Sequence, residues 1–340
     1  MEKILKNFIF TLIFTLALFL FALVLSFNIS RFLPGDPALA YLPEGPIDWD
    51  EYDAIMDQLG YNDPLIIQFF IYAFRMILGD WGASFSIIRG YPVQLLVTDA
   101  LLNSLDLLIV PLIIGLILGV FLGRTSIKNS SSRSNRIVQI LSLIGLALPV
   151  FLVGILIQFI FGYLLPILPI TGYKSLGLDD PPLITGSRII DSFLSGKFYL
   201  IPDYFYHLIL PWITLTISIT IFIIILVRVY HINHLKPSKD IEKDSIVPFI
   251  FQVGFSFGTI FAFLMITEAI FNLNGLSHLL FQAINNADYW TIVAILYVIS
   301  MSFVLIIFIF TILFIVYRIY QKQSISKLSN INQMDKEVKL

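Results

Sequence analysis

The chain has 340 residues, is 58% hydrophobic and 13% charged, and has a mean hydropathy of +0.89, so its few charges do not suffice to cover a water-soluble domain of this size. Its formal net charge of −2 gives no basis for a nucleic-acid partner. Without cysteine there is no disulfide, thiolate metal site or thiol nucleophile.

A membrane-crossing helix needs about 20 mostly apolar residues. Six segments qualify, at 8–29, 98–123, 137–165, 207–228, 247–270 and 291–317, which predicts an all-α polytopic membrane protein. Lys3 and Lys6 precede the first, as in a secretory signal. Its apolar core from Phe8 to Phe27 exceeds the roughly 7–15 residues of such signals, and no small-x-small cleavage site follows. Residues 1–29 therefore read as an uncleaved transmembrane anchor.

Residues 30–97 form an external cap region, opening on Arg31-Phe-Leu-Pro34-Gly35-Asp36-Pro37. Proline fixes φ and glycine tolerates positive φ, so this run makes a good turn in any fold. A helix is expected over Ile47–Leu59, with an acidic first half suited to a helix N-terminus. A second is expected over Pro64–Leu78, capped by Asn62-Asp63 with Pro64 in its first turn and an apolar stripe at Leu65, Phe69, Tyr72 and Met76. Gly79-Asp80-Trp81-Gly82 closes it. Nine acids lie between Asp36 and Asp80.

Residues 98–318 hold the other five spans as a core domain, and 319–340 form a tail. The second span carries Gly115, Gly119 and Gly123, a small-xxx-small stripe that admits another helix closely. The opposite face carries Asp99, Asn103 and Asp106. Asp106 lies about two turns inside, where a carboxylate must be solvated or paired. It either lines a water-filled pathway with Asn103 or bonds structurally to a neighbour. Gly254, Gly258 and Ala262 repeat the glycine device in the fifth span. Glu268, at that span's end, reads as either functional or a cap for the loop holding Gly275.

Lys and Arg resist translocation. Of the 21, 15 fall in the N-terminus, the 124–136 and 228–246 loops and the tail, which places both termini in the cytoplasm and the cap outside. His231 and His234 have helical ligand spacing, but neighbouring Arg228, Lys236 and Lys239 oppose a cation, so no metal site is expected. No Gly-x-x-x-x-Gly-Lys motif is present, and no catalytic residue is identified.

Several blocks, in order, carry a family resemblance: Arg31 to Pro37, Leu59-Gly60-Tyr-Asn-Asp-Pro64-Leu65, Leu78-Gly79-Asp80-Trp-Gly82-Ala-Ser84, Pro92-Val93, Asn103-Ser-Leu-Asp106-Leu107, and Glu268-Ala-Ile-Phe271 followed by Gly275-Leu276 and Ala283-Ile284 before Asp288. Together they resemble permease subunits of ABC importers, the dipeptide, oligopeptide and nickel branch, B-type. The resemblance implies a type I ABC importer transmembrane domain in the cell membrane that forms half of a translocation pathway. It implies as partners a second homologous permease subunit, two ABC ATPase subunits that hold ATP and Mg, and an extracytoplasmic solute-binding protein. It implies peptides or related small solutes, with nickel complexes and oligosaccharides as other cargo of the family.

Force in this family passes through a cytoplasmic helix with a fixed glycine, which membrane order places in the 229–246 loop. Here Arg228 to Pro248 is about half the length that the family pattern leads one to expect. Residues 229–247 contain no glycine, and Pro237 interrupts them; an interior proline costs a helix about 3 kcal/mol or more. His231, His234, Lys236, Lys239 and Asp240 make up the candidate ATPase-facing loop. We expect an asymmetric heterodimer whose partner permease carries most of the coupling. The alternatives are a permease-derived protein that has lost ATPase coupling and an ion-driven secondary transporter.

Overall fold

The computed structural model describes residues 2–32, 36, 38, 39, 41–43, 45–128, 133–235 and 246–337. Its named elements are helices: α1 Glu2–Phe32, α2 Trp49–Gln58, α3 Leu65–Leu78, α4 Val93–Lys128, α5 Arg133–Ala147, α6 Val150–Gln158 with a π-helical turn Phe159–Leu164, α7 Arg188–Leu194, α8 Leu200–Leu235, α9 Ile246–Phe271, α10 Leu276–Asn285 and α11 Tyr289–Glu337. Among the described residues β-pairing amounts to one bridge, Ala83 with Pro92. The chain is an all-helical, multi-pass membrane protein.

Among the described residues, five helices are long and apolar enough to cross a membrane: Phe8–Ile29, Val93–Ile127, Leu200–His231, Phe249–Phe271 and Tyr289–Tyr317. The third expected span is not one rod. Asn135–Gly145 and Val150–Leu164 meet at 98°. Leu148-Pro149 explains the break, because proline disfavours helical φ/ψ in the residue before it and cannot donate to the preceding turn. Pro149 instead starts α6 as its N-cap residue. The bent pair still carries the chain across: α4 leaves the end marked by Val93, and by Gly172 the chain is back there, its amide donating to the Phe271 carbonyl.

The chain forms two compact units that do not follow sequence order. The first comprises Met1–Asn28, Asp240–Gly258 and Leu296–Leu340, the second Ile29–Lys239 and Thr259–Ile295. In the first, Ile250, Ile307 and Ile315 form a small core with Phe14, Leu18 and Phe303, and Phe249 stacks on Phe314 at 4.4 Å. Gly254 lies in it, where an added Cβ would stand 3.1 Å from Phe303. Among the described residues, no atom lies within 4 Å of a Cβ on Gly258. Only one of the two glycines expected to pack in the fifth span therefore meets another helix.

The second unit is built around α4 and α8. An added Cβ on Gly115 would stand 2.8 Å from Ile219, one on Gly119 2.6 Å from Ile223, and one on Gly123 2.9 Å from Val227. Residue numbers rise together along the contact, so the helices run parallel, as crossings two apart must. Leu107, Leu215, Ile219 and Phe222 are buried at this contact with Leu264 and Phe271 of α9.

Candidate functional site

At the end of the second unit marked by Val93, Leu200 and Tyr289, three non-spanning segments converge: 36–92, 166–199 and 272–288. Buried carboxylates fasten each of them.

The 166–199 segment lies on the polar face of α4. Ser187, the N-cap of α7, accepts from the Ile190 amide, and its hydroxyl meets both carboxylate oxygens of Asp106 at 2.8 Å. One turn away, Arg188 donates to Asn103 Oδ1 at 2.9 Å. The Arg188 guanidinium lies 3.5 Å from the centroid of the Tyr173 ring, a close cation–π contact, and Asp180 lies 3.7 Å away. Asp191 is 2% exposed. It accepts from the amides of Ile184, Thr185 and Gly186 and from the Thr185 hydroxyl. Burial pushes this carboxyl up, but those four donors outweigh burial and hold it below the ordinary carboxylate value.

The 272–288 segment is held from the other side. Glu268, fully buried, accepts from the Ser277 amide at 2.9 Å and its hydroxyl at 2.7 Å. The Glu268 carboxylate fills the space a Cβ on Gly275 would need, so glycine is required there. The Leu276 amide donates to Ser104 Oγ of α4 at 2.9 Å. Phe271 anchors the turn in the core, 1% exposed. Asn103, Asp106, Tyr173, Arg188, Tyr204 and Glu268 share one pocket, which leaves about 30 Å³ open, room for about two waters.

The cap is tied to the start of α11. Asp288, fully buried, accepts from the Ser84 hydroxyl at 2.5 Å and from the amides of Ser86 and Ile87 at 3.1 and 3.2 Å. Its other oxygen faces the Thr291 amide at 3.4 Å, as a helix cap does. Tyr61 donates to the Tyr289 hydroxyl at 2.7 Å. Gly82, at φ +83°, lies against Trp290, with a Cβ site 2.6 Å from its ring. Gly79 ends α3 in the left-handed conformation at φ +82°, the usual helix stop. Arg75 bonds Asp80 at 2.8 Å and lies 5.2 Å over the Trp290 ring.

These positions place most of the expected residues. Asp36 accepts from the Ala38 amide and the Tyr52 hydroxyl. Gly60, at φ +73°, sits against Ile71, and Pro64 is the N-cap residue of α3 without a side-chain bond. Asn62 donates to Asp57 and does not cap α3. The acidic helix starts two residues later than expected, capped by Asp48, which accepts from Asp50 and Glu51. His231 lies in α8. Pro34, Gly35, Pro37, Lys236, Lys239 and Asp240 lie outside the described residues, and of Arg31 and His234 only the backbone is described.

Ser187, Arg188, Asp191 and Tyr173 escaped the sequence reading, and Asp288 entered it only as the residue closing a family block, without a role. Two left signals: Ser187 with Asp191 in the next turn, and Asp288 directly before an apolar run, both fit helix starts. Nothing local ties either to its partner, since Ser187 and Asp106 are 81 residues apart.

Residues 115–238 match the model of a family described as binding-protein-dependent transport system inner membrane component. The chain is 28% identical over 315 residues to a probable peptide ABC transporter permease protein, y4tP, of Sinorhizobium fredii, covering 87% of this chain and 92% of that one. It is 27% identical over 304 residues to the dipeptide transport system permease protein DppB of Alkalihalophilus pseudofirmus, covering 83% and 89%. It is 25% identical over 309 residues to the nickel import system permease protein NikB of Staphylococcus aureus, covering 84% and 82%.

Proposed function

We propose that this chain, an inner-membrane permease of the binding-protein-dependent transport family, contributes half of a pathway for peptides or similarly small solutes. Nickel complexes are the second solute class, since relatives named for peptides and for nickel match over comparable lengths. The observation that carries the reading is the fastened end of the second unit. The cap and two loops form one platform there, and the pocket beneath it leaves about 30 Å³, enough for about two waters. A solute passes along a surface shared with a second permease subunit, and the platform is where a solute-binding protein outside the membrane delivers it.

The bias of Lys and Arg toward the N-terminus, the 124–136 and 228–246 loops and the tail supports a cytoplasmic side for both termini. Two ATPase subunits, with their ATP and Mg, sit there, and the partner permease carries most of the coupling because residues 236–245 alone separate α8 from α9.

The test is purification of the full chain from its native membrane, followed by uptake of labelled dipeptides and of nickel into vesicles. A second permease and an ATPase pair should copurify, and uptake should require ATP inside. Transport by the isolated chain, or purification without an ATPase, overturns the proposal.

A further inference from the structure

We propose that α3 lies along the membrane–water boundary, with phospholipid acyl chains covering its outward face. The helix has 14 residues, about 21 Å at 1.5 Å per residue, and cannot cross a hydrocarbon layer of about 30 Å. Tyr72, Ala73 and Met76 are buried on its inner side. Opposite them Ile66, Phe70, Phe74 and Ile77 are 70%, 65%, 65% and 54% exposed, in a sector that, with Leu78, spans about 120° at 100° per residue. Water would face a continuous apolar strip there, and soluble surfaces rarely present one.

Height and charge pick the occupant. The C-terminal end of α3 abuts the first turns of two crossing helices: a Cβ on Gly79 would lie 3.5 Å from Gln94 of α4, and Arg75 lies over Trp290 of α11. Gln94 and Trp290 each lie in the first turn of a helix long and apolar enough to cross the membrane. The one charge on α3, Arg75, is drawn aside to Asp80 and away from the exposed sector. The neighbouring α2 shows the opposite arrangement, with Asp50, Glu51, Asp53 and Asp57 exposed and no buried residue. One helix suits water and the next suits lipid, the partition of an interfacial helix whose apolar face sinks about 5–10 Å into the boundary.

The chain contains no cysteine, so single-cysteine variants report one site each. Ile66→Cys, Phe70→Cys and Phe74→Cys, with Asp53→Cys on α2 for contrast, are labelled with bimane in the full chain with its copurifying subunits. Each is reconstituted into phosphatidylcholine vesicles with plain or brominated acyl chains, and thermal unfolding verifies that each variant matches the parent. Brominated lipid should quench the labels at 66, 70 and 74 by about twofold or more, while aqueous iodide should quench only the label at 53. Quenching of 70 and 74 by iodide alone places the strip in water. Protection from both quenchers means that a protein subunit, or a second copy of this chain, covers it. Either result overturns the assignment.

Discussion

Between Val93 and Asp106, α4 is tied to its surroundings through polar atoms; from Gly115 to Gly123 it meets α8 through shape alone. The first stretch faces irregular backbone, where every buried amide needs an acceptor. Asp191, Glu268 and Asp288 collect those donors, two or more to each carboxylate, and Asp106 accepts the Ser187 hydroxyl. The second stretch has its backbone bonds closed within the helix. Apolar surfaces gain little by meeting in lipid, so close fit has to hold the pair. One helix thus uses two kinds of adhesion, divided by whether the neighbouring chain is helical.

The largest effect should come from removing the acceptor that gathers the cap. Asp288→Ala orphans the Ser84 hydroxyl and two amides, and each buried orphan costs about 1–3 kcal/mol. Limited proteolysis should cut residues 84–92 in the variant while the spans stay intact; a cap as resistant as the parent's breaks the contrast. Smaller effects should follow in the glycine stretch. Gly119→Ala forces a Cβ against Ile223 and should cost about 1–3 kcal/mol of overpacking, partly regained by adding Ile223→Ala. Gly258→Ala, with open space around it, should stay within about 0.5 kcal/mol. Equal melting temperatures for the two alanine variants would show that fit is not what holds α4 to α8. The smallest effect is acid sensitivity at Asp191. Its carboxyl titrates lower folded than unfolded, so its contribution is complete above the ordinary value of about 3.9 and fades as pH falls through the lowered folded value. Pepsin should find the 166–199 segment increasingly open as pH falls through that range. Asp191→Asn, already weakened, should lose that pH dependence.

Periodicity and composition carry far in the spans. All six apolar segments and the Gly115–Gly119–Gly123 contact were legible, because lipid imposes length and glycine spacing defines a face. The kink at Pro149 was equally printed in the chain, yet an apolar run of 29 residues over 137–165 masks a break inside it. The inner face of α3 was readable from Phe69, Tyr72 and Met76. Its outer face was not, because apolar residues surround nearly the whole helix and leave no polar side to mark it; Leu65, expected on the inner stripe, proves 67% exposed. The bond of Asp106 to Ser187 was beyond reach: a carboxylate on a helix face states a need for partners without saying which loop supplies them.

The interlock of α4 with α8 limits how this protein can move. Three β-branched side chains, Ile219, Ile223 and Val227, each sit over a glycine of the facing rod, with identical spacing on both sides. Axial slippage by one or two residues would drive all three against backbone at once, and the next comfortable seat lies a full four residues on, about 6 Å away. The pair behaves as a toothed coupling with widely separated notches. Whatever rearrangement opens a way for cargo must swing this two-rod beam as a whole, with the bending left to joints elsewhere such as the elbow at Pro149.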